Sequence, residues 1–312
     1  MKKSLKSIFT ITIITIILLL LFSACQNIEF NTSNINITST DITSQNETVS
    51  ENDTSKNENS KNNENGKNGK NNKNSKSGKS ATSQKISRAV DKDRGLPVLM
   101  YHNFFDPSVG ETGKDNNWFD ISVFEEQIKY LADNDYYYPS WEEVYEFVNG
   151  DIYLPAKSVM LTIDDGRENN FRLAVPVLEK YDVTATLFVI TSKKGVKRRI
   201  KNHASDNIKF YSHTHDMHRG GTDGKGRFLT VTQEQAMEDL TLSKNIVNSA
   251  DVFCYPYGHY SDFTKEMLTK ADFKLALTVE SGRIFPGMDK LALPRVRMNK
   301  GDGLNAFINR VR

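Results

Sequence analysis

The feature that most limits what this chain can fold into is a long polar segment behind its amino terminus. From Asn27 to about Asp93 the residues are mainly Asn, Ser, Thr, Lys and Glu, and no aromatic residue stands between Phe30 and Tyr101. Such a segment cannot bury enough apolar surface to offset the loss of chain entropy, so we predict a disordered linker. About 215 residues remain after it, which is enough for one sizeable core.

The amino terminus has the order of a secretory signal. Lys2 and Lys3 precede the apolar run 9–22, which is shorter than the ~20 residues of a membrane-spanning helix. The tetrapeptide Phe22-Ser23-Ala24-Cys25 resembles a bacterial lipobox, so we expect cleavage before Cys25 and attachment of lipid to that cysteine. An uncleaved amino-terminal anchor is the alternative. In both cases the rest of the chain is expected outside the cytoplasm, anchored to the membrane at the bacterial cell surface.

Charge and cysteine content narrow the choice of partners. The formal net charge is only +2, so nothing calls for a nucleic-acid partner. If Cys25 carries lipid, the second cysteine, Cys254, has no partner, and no disulfide is expected. The linker contains a series of lysines from Lys67 to Lys79. We interpret this series as part of a solvated spacer in preference to a site that binds anionic wall polymers or lipid headgroups. We expect a monomer.

The remaining residues alternate between strand patterns and helix patterns. Predicted strands cover residues 158–164 and 184–190, with others at 97–101, 208–212, 252–255 and 275–279. Capping boxes mark three helix starts, Ser122 with Glu125, Ser140 with Glu143 and Thr232 with Gln235. This alternation predicts a parallel α/β domain. Periodicity alone does not show whether its sheet closes into a barrel.

Polar side chains follow two of the predicted strands. Asp164 and Asp165 stand at the end of the predicted strand 158–164. The end of the predicted strand 208–212 leads into the segment Ser212-His213-Thr214-His215-Asp216-Met217-His218. One carboxylate and two imidazoles would give a divalent metal three ligands and leave a position open for water. The second carboxylate is then free to act as a base, although the residues alone do not tell which aspartate has which role. Aspartates before a glycine are also common turn residues.

The spacing of the histidines restricts the geometry of this site. His213 and His218 stand five positions apart, and five residues of helix would rotate them ~140° away from each other. A loop must therefore bring the two side chains together. His215, which lies between them, is a rival ligand.

These motifs, together with Phe253-Cys254-Tyr255-Pro256-Tyr257-Gly258, resemble the metal-binding motifs of the polysaccharide deacetylase family, also called carbohydrate esterase family 4 or the nodulation-type deacetylases. The resemblance covers residues 97–312 in the family's motif order. It implies a distorted (β/α) barrel of about seven parallel strands with the site at the strands' carboxyl ends. The wide histidine spacing and the early segment Val98-Leu99-Met100-Tyr101-His102 resemble the branch that deacetylates poly-N-acetylglucosamine of biofilm matrices.

The resemblance also implies roles for the metal-site residues. Asp165, His213 and His218 would bind a divalent metal, with Zn²⁺ expected before Co²⁺, Ni²⁺ or Fe²⁺. Asp164 would be the catalytic base. His215 stands where similar proteins usually have an aromatic residue, so a supporting position beside the site is expected for it.

Further residues complete the implied site. His102 would be the catalytic acid, because the branch that this chain resembles has at its early Tyr-His segment the acid that other members have near the carboxyl terminus. The absence of a Leu-x-His segment after Val279 supports this role, and a buried structural histidine is the alternative. Tyr257 would give its backbone N–H to the oxyanion and its ring to a sugar-stacking wall. Cys254 departs from the family, because many members have an arginine there that orients the catalytic aspartate. Arg295 is the best substitute for it, and Arg297 is the second choice.

The resemblance therefore implies an enzyme that removes N-acetyl groups from N-acetylglucosamine residues of poly-β-1,6-N-acetylglucosamine and releases acetate. Peptidoglycan is the alternative substrate. A catalytically inactive carbohydrate-binding surface lipoprotein is the alternative from another class, favoured by the missing arginine. The expected organisation is a signal peptide over 1–24, a lipid-anchored linker over 25–93 and a catalytic domain over 94–312.

Overall fold

The computed structural model describes residues 93–222 and 224–312. The predicted signal peptide, the predicted lipid anchor at Cys25 and the linker up to residue 92 lie outside the described residues. Within the described ranges, no helix is both long enough and apolar enough to cross a membrane.

The described residues form strands and helices in alternation. The strands are β1 (Val98–Tyr101), β2 (Asn103–Phe105), β3 (Trp118–Asp120), β4 (Met160–Ile163), β5 (Ala185–Val189), β6 (Ile208–Ser212), β7 (Val252–Cys254), β8 (Leu275–Ser281) and β9 (Leu293–Arg297). The helices are α1 (Ile121–Asp133), α2 (Trp141–Asn149), α3 (Val175–Lys180), α4 (Val196–His203), α5 (Gln233–Val247), α6 (Asp262–Lys270) and α7 (Leu304–Val311).

Seven of these strands close into a parallel barrel. Their order around it is β1, β4, β5, β6, β7, β8 and β9. Closure occurs at β1, where Leu99 pairs with Leu161 of β4 on one side and with Val296 of β9 on the other. The predicted fold, a barrel of about seven parallel strands, is therefore confirmed. The short strands β2 and β3 form a separate two-stranded parallel sheet.

Strand residues alternate between the barrel interior and the surrounding helices, as the pleat of a strand requires. In β5, Leu187 and Val189 pack with residues of the outer helices, whereas Phe188 belongs to the interior cluster. Trp141 of α2 joins this interior cluster and donates its Nε1–H to Oγ1 of Thr186 at 2.9 Å. The interior is thus a packed core, and side chains are available for a site only at the ends of the strands.

The predicted strands are all present, with ends that differ by two residues or fewer. Two of the three predicted capping boxes, at the starts of α2 and α5, have both reciprocal hydrogen bonds. The box predicted for Ser122 with Glu125 is wrong. The cap of α1 is Asp120, whose side chain accepts the Ser122 N–H at 2.8 Å, because β3 ends at Asp120 and the helix begins immediately after it.

Candidate metal centre and active site

The candidate residues come from different strands and meet at one end of the barrel. His102, Asp164 and His213 directly follow β1, β4 and β6, and Tyr257 follows β7 by three residues. These are the carboxyl ends of parallel strands, where barrel enzymes build their sites. All four line one cleft of about 430 Å³, and the sheet of β2 and β3 contributes Asn103 and Trp118 to its lining.

Three of the candidate residues converge within this cleft. Oδ1 of Asp165 lies 3.7 Å from Nε2 of His213 and 3.4 Å from Nε2 of His218. The candidate ligand atoms of the three side chains all lie within 4.8 Å of one another. The structure therefore brings together the three residues to which the resemblance assigns the metal.

The hydrogen bonding of these groups fits a divalent cation. Oδ1 of Asp165 is buried and has no hydrogen-bond partner among the described residues. Nδ1 of His213 lies 2.7 Å from the carbonyl oxygen of Cys254, an acceptor that requires the proton on Nδ1 and so leaves Nε2 free as a ligand. A buried carboxylate oxygen without a partner faces an imidazole lone pair, and a cation satisfies both.

The charge states of the two histidines also fit a bound divalent cation. Burial lowers the pKa of His213. Burial, followed by the neighbouring His213, lowers the pKa of His218 to about 4. Both imidazoles are therefore neutral near pH 7, which is the form that binds a metal.

A second group that could hold a cation consists of Asp164, His213 and Cys254. It suits a metal less well. Both carboxylate oxygens of Asp164 accept hydrogen bonds from Arg295. Burial raises the pKa of the Cys254 thiol well above its ordinary value, so the thiol stays protonated and is a poor ligand.

A loop brings His213 and His218 together, as their spacing requires. Thr214 has a left-handed backbone conformation with φ of 69° and turns the chain directly after His213. The carboxylate of Asp239, on α5, accepts the backbone N–H groups of His215 and Asp216, both at 2.6 Å. These charge-assisted bonds hold the middle of the ligand loop against α5.

Asp239 lies at the candidate site but was not predicted from the motifs, although the sequence contains a signal for it. The buried face of α5 carries Ala236, Leu240 and Val247, and Asp239 falls on the same face. An aspartate in an apolar helical stripe is seldom buried without a partner. Its presence therefore indicates a buried polar contact, even though the sequence does not say with which loop.

His215 does not join the converging ligand atoms. Its Nδ1 lies 2.9 Å from Oγ1 of Thr191, and its carbonyl oxygen accepts the N–H of Ser192 at 3.0 Å. The residue thus connects the ligand loop with the segment that follows β5. This placement agrees with a supporting position rather than with a rival ligand.

Asp164 is held by a buried arginine. Nη1 and Nη2 of Arg295 donate to Oδ1 and Oδ2 of Asp164, each at 2.8 Å. Burial alone would raise the pKa of Asp164, but the charge and hydrogen bonds of Arg295 outweigh it and hold that pKa well below its usual range. Sγ of Cys254 lies 3.3 Å from Nη2 of Arg295. Arg297 donates instead to Oδ1 of Asn117 at 2.7 Å.

His102 lies near Asp164, and Tyr257 lies next to His218. Nε2 of His102 lies 3.7 Å from Oδ2 of Asp164. Burial lowers the pKa of His102, and the charge of Asp164 only partly opposes this effect. The ring of Tyr257 lies 4.4 Å from that of His218, and 44% of Tyr257 is exposed to solvent, so the ring can take part in a cleft wall.

The comparison with known proteins agrees with this geometry. The family model described as "Polysaccharide deacetylase" matches residues 152–276, which include the two aspartates and the ligand loop. The chain contains a polysaccharide deacetylase domain. The predicted family and the predicted class of enzyme are therefore confirmed.

Several members of this family are similar to the chain over much of its length. The poly-β-1,6-N-acetyl-D-glucosamine N-deacetylase of Staphylococcus aureus strain MRSA252 is 28% identical over 191 residues, which is 56% of this chain and 66% of that enzyme. The structure of IcaB from Ammonifex degensii has a TM-score of 0.59 and 27% identity over 70% of this chain and 97% of that one. The Streptococcus pyogenes deacetylase PplD has a TM-score of 0.61 and 23% identity over 70% and 98% of the two chains, and shows the shared fold.

Proposed function

We propose that this polysaccharide deacetylase removes N-acetyl groups from N-acetylglucosamine residues of poly-β-1,6-N-acetylglucosamine in a metal-dependent reaction. The observation that carries the proposal is the convergence of Asp165, His213 and His218 in a cleft that also contains Asp164 and His102. The staphylococcal relatives named for this polymer support the choice of substrate.

Asp165, His213 and His218 would hold the metal, with Zn²⁺ as the first candidate and Co²⁺, Ni²⁺ or Fe²⁺ as alternatives. When bound, such an ion would supply Lewis-acid activation of the acetamide carbonyl and of the attacking water. The surrounding residues prepare the ligands for it. Nε of Arg167 donates to Oδ2 of Asp165 at 2.9 Å, so Oδ1 remains available. The Cys254 carbonyl fixes the orientation of His213.

Asp164 and His102 carry out the proton transfers of the proposed reaction. Asp164, which Arg295 keeps ionised, accepts a proton from the attacking water while the water oxygen bonds to the amide carbon. The backbone N–H of Tyr257 donates to the oxygen that becomes negatively charged. The proton that Asp164 takes up passes to His102, whose Nε2 lies 3.7 Å from Oδ2 of Asp164. The C–N bond then breaks as protonated His102 gives this proton to the leaving nitrogen, and the products are acetate and a free amine.

Arg295 bears on the alternative of an inactive carbohydrate-binding protein. The feature that favours inactivity is the neutral Cys254 at the position of the usual arginine. Arg295 contacts both oxygens of Asp164 from β9 and lies next to the Cys254 thiol. The candidate base thus has an arginine partner from another strand, which supports an active enzyme.

Release of acetate from two purified polymers tests the proposed reaction. We expect release from poly-β-1,6-N-acetylglucosamine, its loss after treatment with a chelator, and its return on addition of Zn²⁺. The Asp165→Asn protein serves as the inactive control. Acetate release from peptidoglycan alone would identify peptidoglycan as the substrate. Acetate release that continues after complete removal of the metal would contradict the metal dependence.

The two aspartates can be separated by comparing asparagine variants. Asp164→Asn should keep its metal and lose turnover by ~10²–10⁴-fold, the usual contribution of general base catalysis. Asp165→Asn should lose the metal itself. An Asp164→Asn protein without metal, beside a metal-loaded and active Asp165→Asn protein, would reverse the two roles.

We further propose that the protein is attached to the outer face of the bacterial membrane through lipid on Cys25. The lipobox-like tetrapeptide and the short apolar run before it support this location. Fractionation of cells that express the wild-type chain and the Cys25→Ser chain tests it. Wild-type protein found unmodified in the medium would refute the anchor.

A further inference from the structure

A strongly basic surface lies beside the candidate active site and has no part in the proposed reaction. The segment from Lys193 to Lys201 contains six Lys and Arg residues, and no acidic residue occurs between Asp182 and Asp206. The whole chain has a formal net charge of only +2. Positive charge is therefore concentrated in this segment, which we call the α4 basic face.

Four of the six basic side chains of this face point into solvent. Lys194, Lys197, Arg198 and Lys201 are exposed, whereas Val196 is buried and Ile200 packs against the core. The two apolar residues are four positions apart and form the inner side of the short helix, so Lys197, Arg198 and Lys201 occupy its outer side. No ion pair with a carboxylate is present for these four cations among the described residues, so their charge is uncompensated.

The α4 basic face begins at the rim of the site. Lys193 donates from Nζ to the backbone carbonyl of Asp165 at 3.2 Å, and Ser192 donates its N–H to the carbonyl of His215 at 3.0 Å. The segment is therefore joined to both the strand end and the loop that carry the candidate ligands. A molecule bound along α4 would lie next to the mouth of the cleft.

We infer that the α4 basic face binds a linear phosphodiester polymer. Charge complementarity requires an anionic partner, and both Lys and Arg bind phosphate oxygens through charge-assisted hydrogen bonds. Lys197, Arg198 and Lys201 follow one another along the outer side of the helix, and Lys194 stands two residues before its start. This order suits a chain with successive anions. A membrane surface fits less well, because none of the exposed large apolar side chains belongs to this segment, and interfacial helices bury an apolar face in lipid.

If the proposed deacetylation takes place, it changes the charge of the substrate next to the α4 basic face. Removal of acetyl groups creates ammonium groups, so the product is cationic. The α4 basic face repels such a product, whereas a phosphodiester polymer held on that face attracts it. The enzyme would then form its cationic product next to an anionic partner.

The binding of defined polyanions to the full chain tests this inference. The probes are linear inorganic polyphosphate, polyglutamate of similar charge, and phosphatidylcholine vesicles with added phosphatidylglycerol. We expect polyphosphate to bind tightest, with an affinity that falls steeply as salt is raised. The Lys197→Glu/Arg198→Glu/Lys201→Glu variant should bind polyphosphate about tenfold or more weakly.

A matched control separates the local face from net charge. The Lys129→Glu/Lys180→Glu/Lys270→Glu variant has the same change in net charge on exposed positions of other helices, and it should bind polyphosphate within about threefold of wild type. The neutral Lys197→Gln/Arg198→Gln/Lys201→Gln variant gives the same comparison if charge reversal impairs folding. Turnover of a short soluble N-acetylglucosamine oligosaccharide should be unchanged in all of them.

Four results would overturn the inference. They are the absence of polyphosphate binding by the wild-type chain, equal loss of binding in the α4 and control variants, tighter binding to polyglutamate than to polyphosphate, and binding to vesicles alone. The last result would identify a membrane-binding surface. None of these binding measurements depends on acetate release, so failure here is distinct from failure of the proposed deacetylation.

Discussion

Arg295 and Asp164 form a buried two-point ion pair, with Nη1 to Oδ1 and Nη2 to Oδ2 both at 2.8 Å. Their strands, β9 and β4, are not neighbours, since β1 lies between them. Arg295 also donates from Nε to the carbonyl of Thr278 and from Nη1 to Oγ1 of Thr162. The guanidinium is therefore well satisfied in the interior, and it fixes the carboxylate at the floor of the candidate site.

Replacement of Arg295 should affect both stability and turnover. Arg295→Met leaves the Asp164 carboxylate buried without its partner, and breaking a buried pair in this way costs ~3–5 kcal/mol of the free energy of unfolding. Arg295→Lys keeps the charge but cannot donate to both oxygens, so it should be closer to wild type in stability and still impaired in turnover. Urea denaturation and acetate release measure the two effects.

An exposed arginine pair provides the control for this prediction. Arg172 pairs with Glu111 at the surface, and surface pairs contribute only ~0–1 kcal/mol. Arg172→Met should therefore be close to wild type in stability. An Arg295→Met protein as stable and as active as Arg172→Met would contradict the role assigned to the buried pair.

The same pair predicts how stability depends on pH. Arg295 holds the pKa of Asp164 below the ordinary value of 3.8. Above pH 3.8 the carboxylate is ionised in both the folded and the unfolded state, and its contribution to stability is fully present. As pH falls below 3.8, Asp164 becomes protonated in the unfolded chain but stays ionised in the folded protein. Proton uptake therefore favours the unfolded state, and the contribution of Asp164 to stability declines.

Comparison of wild type with Asp164→Asn isolates this pH effect from that of the other carboxylates. Between about pH 5 and about pH 3, the free energy of unfolding should fall more in wild type than in the variant. The measurement is urea denaturation of the metal-free proteins at both pH values. Equal decreases in the two proteins would show that Asp164 has no depressed pKa.

Metal content should distinguish the three clustered histidines. His213→Ala and His218→Ala each leave two protein ligands, so purified protein should contain little metal, whereas His215→Ala should retain it. His203→Ala is a matched control, because His203 lies on α4 and packs against Phe171 away from the converging atoms. Full metal content in both ligand variants, or its loss in His215→Ala alone, would contradict the assignment.

Asp239 should act on the metal through the loop that it holds. Asp239→Ala removes the acceptor of the His215 and Asp216 N–H groups, so we expect the affinity for Zn²⁺ to fall by ~10–100-fold, as for other residues that orient metal ligands. Turnover should recover in part at saturating Zn²⁺. Glu238→Gln, an exposed neighbour on the same helix, should bind Zn²⁺ like wild type. An unchanged affinity in Asp239→Ala would mean that the loop needs no support from α5.

The apolar residues of the sequence predict six of the seven barrel strands, but β9 and the short strands β2 and β3 are not predicted. β9 carries no such pattern, because Arg295 and Arg297 occupy alternate positions within it. A buried arginine is tolerated there only because Asp164, on a distant part of the chain, receives its charge. No local rule contains that information, so β9 and the ion pair emerge only with the tertiary structure.

Some features of the candidate site could likewise be predicted from the sequence, whereas others depend on the tertiary structure. The convergence of the candidate ligand residues could be predicted, because strand ends in a parallel barrel meet on one side and because the motifs resemble those of the family. The contact of Asp239 with the ligand loop could not be predicted, because it joins a helix to a loop more than twenty residues away in the sequence. The start of α1 was mistaken because Asp120 and Ser122 are both favourable caps, and only the end of β3 decides between them.

The last prediction concerns His102, whose role bears on the choice of substrate. Its side chain lines the cleft, and within the described residues it makes no hydrogen bond, the nearest charged group being Oδ2 of Asp164 at 3.7 Å. A histidine kept only for structure would lose a buried hydrogen bond on replacement, at a cost of ~1–3 kcal/mol. The observed surroundings favour a chemical role instead. We therefore expect His102→Asn to lower turnover by ~10²–10⁴-fold while metal content and melting temperature stay close to wild type.

His203→Asn is the control for His102→Asn, because it introduces the same change outside the cleft and should leave turnover intact. Metal analysis, thermal unfolding and acetate release can be measured on a single preparation of each protein. A His102→Asn protein that is as active as wild type but less stable would remove the acid role. It would also weaken the case for poly-β-1,6-N-acetylglucosamine over peptidoglycan, since the early histidine segment is one of the two features that connect this chain with the branch acting on the former polymer.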